Sequence, residues 1–527
     1  MSALPDGPML RLAGEAPEPF ARILERSAGT AARLESELGL APGDRIVLAL
    51  ESSRVHVELV AAAWRLGLQL IAVPPSASAL GFAGILEAAA PQAAAIDAGN
   101  ERLGRALRDW AGTLRPLGEA PGARDVVLGT GLPQPRGARP ARPDSRGRDW
   151  QDWLQHLPPA VFYTSGSTST AKGAILRWPR ILEKGKAVLG FYGASAADRV
   201  MPILPLSHVY GLYCLMGAVA LGADCIVHRE SSSPAALAAG LVDHAASVAI
   251  CPPIVGAFLF GRHGCEPAVR ERLRVLSMGG AATSREQAAR ILAALPRTRV
   301  FLSYGLAETY STVACNEASL PGADPGAVGP MRFGAFAEVR DPAGGGALAA
   351  GEIGELCIGG WSIMDGYLGR EDEGFTADGL FRTGDLARLD HQGAISITGR
   401  LKEMINAGGL SIFPSEIEQA IRQHPAVADC GVFGERAGEL EVVCAAVVLH
   451  PAAAARPREE MLDELLEHCC GHLASKMVPR RLTVVPAIPR GALGKIARAE
   501  LRRLCTPAQA PSAQVEAQAE GLDPARV

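Results

Sequence analysis

The sequence predicts an α/β fold with a large N-terminal domain of parallel and mixed sheets, a β-rich subdomain, and a small α+β domain at the C-terminal end. Three observations lead to this expectation. Apolar strands alternate with helical segments over residues 20–110 and again over 160–310, which is typical of parallel sheets covered by helices. Short strands and glycine turns dominate residues 328–398, and residues 400–503 carry a separate α+β pattern.

The individual strands are predicted from short apolar runs. In the N-terminal part these runs are RIVLALESS at 45–53 and LQLIAVPPS at 68–76. Six more follow: AVFYTSG (160–166), VMPILPL (200–206), DCIVH (224–228), SVAICPP (247–253), VLSMGG (275–280) and RVFLSYG (299–305). Residues 112–148 are rich in Pro, Gly and Arg, which predicts an exposed loop.

These patterns predict the domain limits. We expect an N-terminal core over residues 1–399, with the β-rich subdomain at about 328–398, and a C-terminal domain over 400–505. The Ala-, Gln-, Pro- and Ser-rich tail at 506–527 is predicted to be disordered. The apolar stretch Val209–Val227 contains three glycines and Asp224, so a buried helix followed by a strand is expected there and no membrane span.

Composition excludes several classes of protein. The 527 residues include 52 basic and 56 acidic side chains, a net charge of −4, so a dedicated nucleic-acid binder is disfavoured. Eleven scattered cysteines without a CxxC motif indicate neither a zinc site nor a disulfide framework. The N-terminus lacks the pattern of a secretory signal. A cytoplasmic location is expected.

Lysine is rare in this chain. Only six of the 52 basic residues are lysines, which we interpret as compositional bias toward arginine. Lys172, Lys402 and Lys495 fall in the motifs described below. Since arginine cannot supply a compact ammonium at a crowded phosphate, positions 172 and 495 are expected to be chemically constrained.

A loop rich in hydroxyl groups, Tyr163–Gly173, follows the first strand of the second α/β segment. Its backbone N–H groups, hydroxyls and ammonium could surround a polyphosphate. The candidate ATP-binding residues are Thr164, Ser165, Gly166, Ser167, Thr168 and Lys172. Its glycine spacing, with Gly173 after the lysine, differs from that of a Walker A loop. The alternative is an ordinary surface turn.

This loop resembles the phosphate loop of the adenylate-forming (ANL) superfamily, which includes acyl-CoA and aryl-CoA synthetases. Further motifs occur in the order found in that family. They are Met278–Ala282, Ser303–Glu308, Gly354-Glu355-Leu356 with Gly366-Tyr367, Thr383-Gly384-Asp385, Gly399–Lys402 through Gly409, Pro414–Glu418, and Pro489-Arg490 with Gly494-Lys495. The resemblance is specific from about residue 160 to 498 and weak before residue 150.

The resemblance implies an AMP-forming acid–thiol ligase that uses ATP and Mg²⁺. A carboxylate would attack the α-phosphorus of ATP, pyrophosphate would leave, and a thiol would then take the acyl group. The implied roles are a metal ligand at Glu308, ribose contact by Asp385, further nucleotide contacts by Gly280, Ala281, Ala282, Tyr304, Gly305 and Arg400, and charge stabilisation by Lys495. Lys402 would be the hinge of a mobile C-terminal domain, and Gly409 would border the thiol tunnel.

Four positions depart from the family pattern. Ser169 and Ala171 replace the usual Gly and Pro of the loop, Ala307 replaces a Thr, and Asn406 stands where many members have Lys. None removes a group that the implied chemistry requires, although together they are compatible with an unusual member of the family.

The implied acid pocket consists of residues near a gating segment, Leu204–Gly211. Its expected residues are His208, Val209, Tyr210, Val255, Gly256 and Gly279. Their mostly apolar character favours a hydrophobic or aromatic carboxylic acid. Since no Asp occurs between 203 and 223 to pair with an ammonium, an α-amino acid is disfavoured.

The thiol acceptor stays open between two candidates. No carrier-protein serine motif follows residue 500, so coenzyme A or the phosphopantetheine of a separate acyl carrier protein must supply the thiol. Coenzyme A is the commoner acceptor. A serine hydrolase is disfavoured because residues 165–169 lack the GxSxG spacing.

Overall fold

The computed structural model describes residues 7–12, 15–117, 125–130, 150–163, 172–262, 266–407, 410–437, 440–490 and 496–505. The predicted loop residues 164–171, Gly409, Lys495 and the tail from 506 lie outside the described residues. The chain divides into two compact units, and the division falls between Leu401 and Lys402. The boundary was predicted after residue 399. Arg400 instead belongs to unit 1, which continues to Leu401.

Among the described residues, unit 1 contains twenty strands. They are β1 (Met9–Leu12), β2 (Glu18–Pro19), β3 (Arg45–Ala49), β4 (Gln69–Ala72), β5 (Ala93–Asp97), β6 (Leu114–Pro116), β7 (Val126–Thr130), β8 (Ala160–Tyr163), β9 (Gly173–Leu176), β10 (Arg199–Pro202), β11 (Asp224–Val227), β12 (Val248–Cys251), β13 (Val275–Gly279), β14 (Arg299–Leu306), β15 (Ser311–Glu317), β16 (Gly329–Pro330), β17 (Ala335–Arg340), β18 (Gly354–Gly360), β19 (Phe381–Leu389) and β20 (Ala394–Arg400).

Eleven α-helices connect these strands in the described part of unit 1. They are α1 (Phe20–Leu38), α2 (Arg54–Leu66), α3 (Ala79–Ala89), α4 (Glu101–Ala111), α5 (Trp150–Trp153), α6 (Trp178–Phe191), α7 (Val209–Ala220), α8 (Pro234–Asp243), α9 (Pro253–Gly256), α10 (Pro267–Arg272) and α11 (Arg285–Ala294). A π-helix, Ala257–Arg262, continues α9, and a 3₁₀ turn, Ala307–Thr309, follows β14.

Two large sheets form the centre of unit 1. The first has the order β6-β7-β5-β3-β4-β8-β9, and the second β15-β14-β13-β12-β10-β11-β1-β2. The inner strands pair in parallel, whereas the edge pairs β8–β9 and β14–β15 are antiparallel. Because helices cover both faces of parallel strands, their side chains are buried almost without interruption. The α/β fold class and the eight predicted strands of this part are confirmed.

Two strands occur where a loop was predicted. Residues 114–116 and 126–130 form β6 and β7, which extend the first sheet beyond β5 by antiparallel pairing. The sequence Val126-Val127-Leu128 is apolar and partly β-branched and suits a strand, here β7 between β5 and β6. The Pro- and Arg-rich residues around it obscured this short signal.

The β-rich part of unit 1 is a five-stranded antiparallel sheet, β16-β20-β19-β18-β17. The apolar stretch that begins at Val209 forms the buried helix α7 and then β11, as expected. No helix in the described part of the chain combines the length and apolar character needed to cross a membrane.

Unit 2 is a separate α+β unit. Its strands are β21 (Ile405–Ala407), β22 (Leu410–Ile412), β23 (Val427–Ala437), β24 (Leu440–Leu449) and β25 (Arg481–Val484), and its helices are α12 (Pro414–Arg422), α13 (Pro451–Ala454), α14 (Arg458–His472) and α15 (Arg498–Cys505). The guanidinium of Arg498 pairs with Glu403 at 2.9 Å and Glu418 at 2.5 Å. These contacts connect α15 to Glu403, at the end of a 3₁₀ turn, and to helix α12.

Candidate active site

The Thr383-Gly384-Asp385 motif forms a bulge inside strand β19. The motif therefore lies within a strand and does not form a tight turn after one. Arg382 pairs with Cys357 and Leu386 pairs with Glu355, so three residues of β19 oppose the single residue Leu356 of β18. A bulge of this kind changes the direction in which side chains point. Here it sets the direction of Asp385.

Hydrogen bonds hold this bulge in place. The Thr383 hydroxyl donates to the Leu356 carbonyl at 2.7 Å and accepts the Asp385 N–H at 3.0 Å. Gly384 donates its N–H to the Glu355 carboxylate at 3.2 Å and has a φ of 68°. Glycine adopts that left-handed conformation without steric strain.

The carboxylate of Asp385 is buried and contacts two donors. Its Oδ2 accepts a 2.7 Å hydrogen bond from the Tyr304 hydroxyl, and its Oδ1 lies 2.6 Å from Nε of Arg400. Asp385 and Arg400 are also paired residues of β19 and β20. Burial and the adjacent carboxylate raise the pKa of Tyr304 well above its ordinary value. Its hydroxyl therefore stays protonated and remains a donor.

Glu308 lies in the 3₁₀ turn after β14. Its Oε1 accepts a 2.8 Å hydrogen bond from the Tyr367 hydroxyl, and its backbone carbonyl accepts the Met364 N–H at 2.8 Å. Burial, and secondly the charge of Glu308, raise the pKa of Tyr367. Tyr367 therefore donates to Glu308 at every physiological pH.

Lys172 lies near the end of the hydroxyl-rich loop, immediately before strand β9. Its Nζ lies 2.6 Å from Oε1 of Glu373 and 5.0 Å from the ring centre of Tyr367. The hydrogen bond from Lys172 lowers the pKa of Glu373. The ammonium thus lies over the same tyrosine whose hydroxyl binds Glu308.

These contacts form two polar clusters in unit 1. One runs from Lys172 over Tyr367 to Glu308, and the other joins Tyr304, four residues before Glu308 in the sequence, to Asp385 and Arg400. Each cluster contains a cation and a carboxylate. An extended anionic nucleotide with a divalent cation needs both kinds of group.

The residues present fit Mg²⁺ only if a nucleotide accompanies it. In the described ranges no group of three or more His, Cys, Asp or Glu side chains could hold a metal. Glu308 supplies one carboxylate, with Tyr367 bound to only one of its oxygens. Mg²⁺ is commonly bound by one or two carboxylates together with substrate phosphates and water. Glu308 matches that arrangement.

The segment predicted to contact adenine, Met278–Ala282, begins in β13 and continues past its end. Gly280 has a φ of 84°, a conformation that favours glycine. It turns the chain out of the sheet, and Ala281 is half-buried and Ala282 exposed after it. Gly305 lies so close to β15 that a β-carbon there would come within 1.8 Å of the Ser311 carbonyl oxygen.

The predicted acid-pocket residues lie on two helices and at the end of β13. His208 caps α7, and its Nδ1 accepts the Tyr210 N–H at 3.1 Å. Val209 and Tyr210 are buried in the first turn of α7. On α9, Val255 is half-buried and Gly256 buried against Met278.

Tyr210 brings a polar atom to this apolar surface. A β-carbon on Gly279 would lie 3.2 Å from the Tyr210 hydroxyl oxygen. That hydroxyl is buried and makes no hydrogen bond to another described residue. Beside it the hydroxyls of Tyr192, Ser277 and Ser303 lie within 2.8–3.0 Å of one another. The region is therefore richer in hydroxyl groups than the sequence analysis expected.

Several predicted residues receive no structural support here. Thr164, Ser165, Gly166, Ser167, Thr168, Gly409 and Lys495 lie outside the described residues, as do the departures at Ser169 and Ala171. Lys402 is exposed in a 3₁₀ turn and is the first residue of unit 2. Asn406 donates its N–H to Glu441 within that unit.

Two side chains at this site, those of Tyr367 and Glu373, were not predicted from the sequence. Tyr367 was noted only as part of a motif, although its hydroxyl binds Glu308. Glu373 was not singled out, because one acid in the acidic run Glu371-Asp372-Glu373 carries no distinguishing signal. Its contact with Lys172 arises from pairing between β9 and the segment after Gly366.

Two solved structures share the fold of this chain. The structure of ATP-bound MatB from Rhodopseudomonas palustris superimposes with a TM-score of 0.78 at 23% identity, covering 95% of this chain and 97% of that one. A benzoate CoA ligase from Burkholderia xenovorans LB400 superimposes with a TM-score of 0.75 at 23% identity, covering 94% and 96%. At this identity the likeness establishes the fold.

Sequence similarity defines the family. The model of the AMP-binding enzyme family matches residues 19–368, and the model of its C-terminal domain matches residues 416–495. This chain belongs to the AMP-binding enzyme family.

Similar curated proteins include two ligases. The sulfoacetate–CoA ligase of Cupriavidus necator is 31% identical over 351 residues, covering 65% of this chain and 66% of the relative. The 2-succinylbenzoate–CoA ligase of Bacillus velezensis is 28% identical over 351 residues, covering 65% and 68%. The matched region spans about three fifths to two thirds of the length of the curated relatives.

Proposed function

We propose that this protein activates a carboxylic acid with ATP and transfers the acyl group to coenzyme A. In the first step a carboxylate oxygen bonds to the α-phosphorus of ATP, and the bond from that phosphorus to pyrophosphate breaks. In the second step the thiolate sulfur bonds to the acyl carbon, and AMP leaves with the electron pair of the acyl–oxygen bond.

The two polar clusters that contain Lys172, Glu308 and Asp385 are the observation that carries this proposal. Their members come from five separate parts of the sequence, and all except Tyr367 were predicted to contact the nucleotide or its metal ion. Asp385, fixed by Tyr304 and Arg400, has lone pairs left for ribose hydroxyls. Glu308 would hold Mg²⁺ against the phosphates, and Lys172 would bind them directly.

Electrostatics explains why cations are needed at the reacting centre. A carboxylate and a polyphosphate repel each other, and each nearby cation at ~4 Å offsets roughly 1–4 kcal/mol per anion. Preorganised donors aimed at developing charge often contribute ~10²-fold or more to the rate. Lys495 is proposed for this task in the first step, with Lys402 as the hinge that lets unit 2 withdraw it before the second.

Coenzyme A is the acceptor we favour. The names of both relatives above describe CoA ligases. A separate acyl carrier protein is the second candidate, and the sequence motifs alone do not discriminate between the two. The acid is proposed to be small and carboxylic, with no ammonium at its α-carbon.

A panel of carboxylic acids read by pyrophosphate release tests the proposal. Each acid is incubated with ATP and Mg²⁺, with and without coenzyme A, while AMP and ADP are measured. We expect at least one acid to give pyrophosphate and AMP in equal amounts, and coenzyme A to accelerate turnover. Release of ADP, or no release with any acid, would contradict the proposal. Turnover with a phosphopantetheinylated carrier but not with coenzyme A would favour the second acceptor.

A further inference from the structure

Lys184 is a buried lysine in helix α6 to which the proposed chemistry assigns no role. Its side chain is fully buried, with a relative exposure of 0%. Burial removes the strong hydration of an ammonium group, so an apolar residue of similar volume would ordinarily be more stable at such a position. A lysine kept there is a candidate for a function that needs its amine.

The Lys184 amine has one hydrogen-bond acceptor and two aromatic neighbours. Nζ donates to the backbone carbonyl of Thr312 at 3.0 Å. It lies 5.4 Å from the ring centre of Phe333 and 5.2 Å from that of Trp361. Burial lowers the pKa of Lys184 to about 7. Both the ammonium and the neutral amine can donate to the Thr312 carbonyl.

A close crossing of α6 and α7 fixes the position of Lys184. A β-carbon on Gly185 would lie 2.2 Å from the carbonyl oxygen of Tyr213, and one on Gly217 would lie 2.5 Å from the carbonyl carbon of Gly185. The two helices therefore touch through their backbones. Only glycine permits this approach, and it places Lys184 next to Tyr213.

Tyr213 connects this lysine to the acid pocket. Its hydroxyl lies 2.9 Å from the hydroxyl of Thr312, the residue whose carbonyl Lys184 binds. Its ring stacks on that of Tyr210, with ring centres 5.2 Å apart and an interplanar angle of 22°. Tyr210 in turn reaches Gly279 with its hydroxyl. A continuous path of contacts thus runs from the lysine to the pocket wall.

Thr312 also lies opposite the Ser303–Glu308 motif, on the neighbouring strand β15. It pairs with Gly305 in the β14–β15 ladder, next to Tyr304. The Tyr213 hydroxyl contacts the Thr312 hydroxyl directly, whereas Tyr304 is only the chain neighbour of the residue that pairs with Thr312. A shift of Thr312 would therefore affect the acid side more than the nucleotide side.

We propose that Lys184 is a positioning residue for the acid pocket: by holding the carbonyl of Thr312, it keeps Thr312, Tyr213 and Tyr210 in the arrangement that shapes the pocket wall at Gly279. This inference rests on the proposed function, because the pocket matters only if a carboxylic acid binds there. Displacement of a reacting group by about 1 Å can lower a rate by roughly 10²-fold, so loss of the amine is expected to be visible in kinetics.

Lys184→Met tests the proposal, with Lys186→Met as the matched control. Met keeps most of the volume and removes the donor. Lys186 lies on the same helix, exposed and paired with Glu183. For Lys184→Met we expect kcat/KM for the acid to fall at least about tenfold, KM for ATP to stay within twofold, and the melting temperature not to decrease. The control should match wild type in all three.

The outcomes separate this inference from the proposed function. Wild-type protein that turns over no acid would overturn both. If wild type is active and kcat/KM for the acid in Lys184→Met stays within twofold of wild type, the positioning role alone is overturned. The same conclusion follows if KM for ATP rises by the same factor as kcat/KM for the acid falls. If Lys184→Met fails to fold, Tyr213→Phe tests the proposal instead, because it removes only the hydroxyl that hydrogen-bonds to Thr312. Unchanged kcat/KM for the acid in Tyr213→Phe would then overturn the proposal.

Discussion

The hydroxyl of Tyr304 donates a 2.7 Å hydrogen bond to Asp385, 81 residues further along the chain. The two residues belong to separate sequence motifs and to separate sheets, and the bulge in β19 is what lets them meet. Arg400 approaches the same carboxylate from the neighbouring strand. The carboxylate is thus fixed before any ligand binds, which limits the entropy lost on binding.

Asp385→Asn should reduce acid-dependent pyrophosphate release by about 10²-fold or more. The amide keeps the shape of the side chain but loses the charge and accepts hydrogen bonds through only one atom. Pyrophosphate release at saturating acid and varied ATP measures the effect. Asp378→Asn is the control, since Asp378 is an exposed carboxylate paired with Arg340 in the same unit. Equal activity of the two variants would show that Asp385 does not bind the nucleotide.

Much of the fold was predictable because buried strands and helices leave local apolar patterns. Strands such as β8 and β13 are mostly apolar runs, and the stretch that forms α7 and β11 could be distinguished from a membrane span by its glycines and Asp224. β6 and β7 were missed because they are short and their Pro- and Arg-rich flanks suggested a loop. The strand order of each sheet depends on long-range pairing, which no local pattern encodes.

For the candidate site, residue identity was easier to predict than geometry. Asp385 and Tyr304 were identified from motifs, but the bulge that aims Asp385 depends on Leu356, which lies in another strand. The donor to Glu308 could not be identified, because the contact with Tyr367 joins residues 59 positions apart. Lys184 could not be singled out from the sequence, since its burial depends on a helix crossing.

Tyr367→Phe should raise the Mg²⁺ concentration needed for half-maximal activity. The hydroxyl of Tyr367 orients the Glu308 carboxylate, and loss of a residue that orients a metal ligand typically weakens metal binding about 10- to 100-fold. A Mg²⁺ titration of pyrophosphate release at saturating ATP measures the shift. An unchanged Mg²⁺ requirement together with an unchanged melting temperature would exclude this orienting role.

Glu373→Gln should lower KM for ATP, by no more than about fivefold. In the structure the carboxylate of Glu373 forms an ion pair with the ammonium of Lys172, and a phosphate of ATP would have to compete with it for this contact. Exposed ion pairs of this kind are worth ~0.2–1 kcal/mol, so the gain is modest. Glu371→Gln, in the same loop, serves as the control because Glu371 bonds the Gly369 N–H. A higher KM in Glu373→Gln would mean that the pair helps to place Lys172.

Lys495→Ala and Lys402→Pro should affect opposite steps. Lys495→Ala removes a cation from the first step, so acid-dependent pyrophosphate exchange should be lost while thioester formation from a preformed acyl-adenylate is kept. Lys402→Pro should restrict rotation of unit 2 and do the reverse. Equal loss of both steps in Lys495→Ala would contradict the two-conformation mechanism. Normal thioester turnover in Lys402→Pro would place the hinge elsewhere.

The stability contribution of Lys184 should depend on pH in a defined window. Burial lowers the pKa of Lys184 from its ordinary value of 10.5 to about 7. Below pH 7 the folded and unfolded chains both carry the proton, and the folded state bears the full desolvation penalty. Between about pH 7 and 10.5 the unfolded chain binds this proton while the folded chain does not, so wild-type stability rises with pH relative to a variant without the amine.

Thermal unfolding of wild type and Lys184→Met at pH 6 to 9.5 tests this expectation. The variant should melt above wild type at pH 6, and the difference should shrink steadily above pH 7. Charged neighbours do not complicate the comparison: Glu183 and Lys186 on the same helix pair with each other at 2.9 Å, and burial keeps Tyr213 of the adjoining helix neutral by raising its pKa well above the ordinary value. The guanidinium of Arg332, beside Phe333, lies over the ring of Phe191. A difference in melting temperature that stays constant from pH 6 to 9.5 would show that Lys184 does not change its protonation in the folded protein.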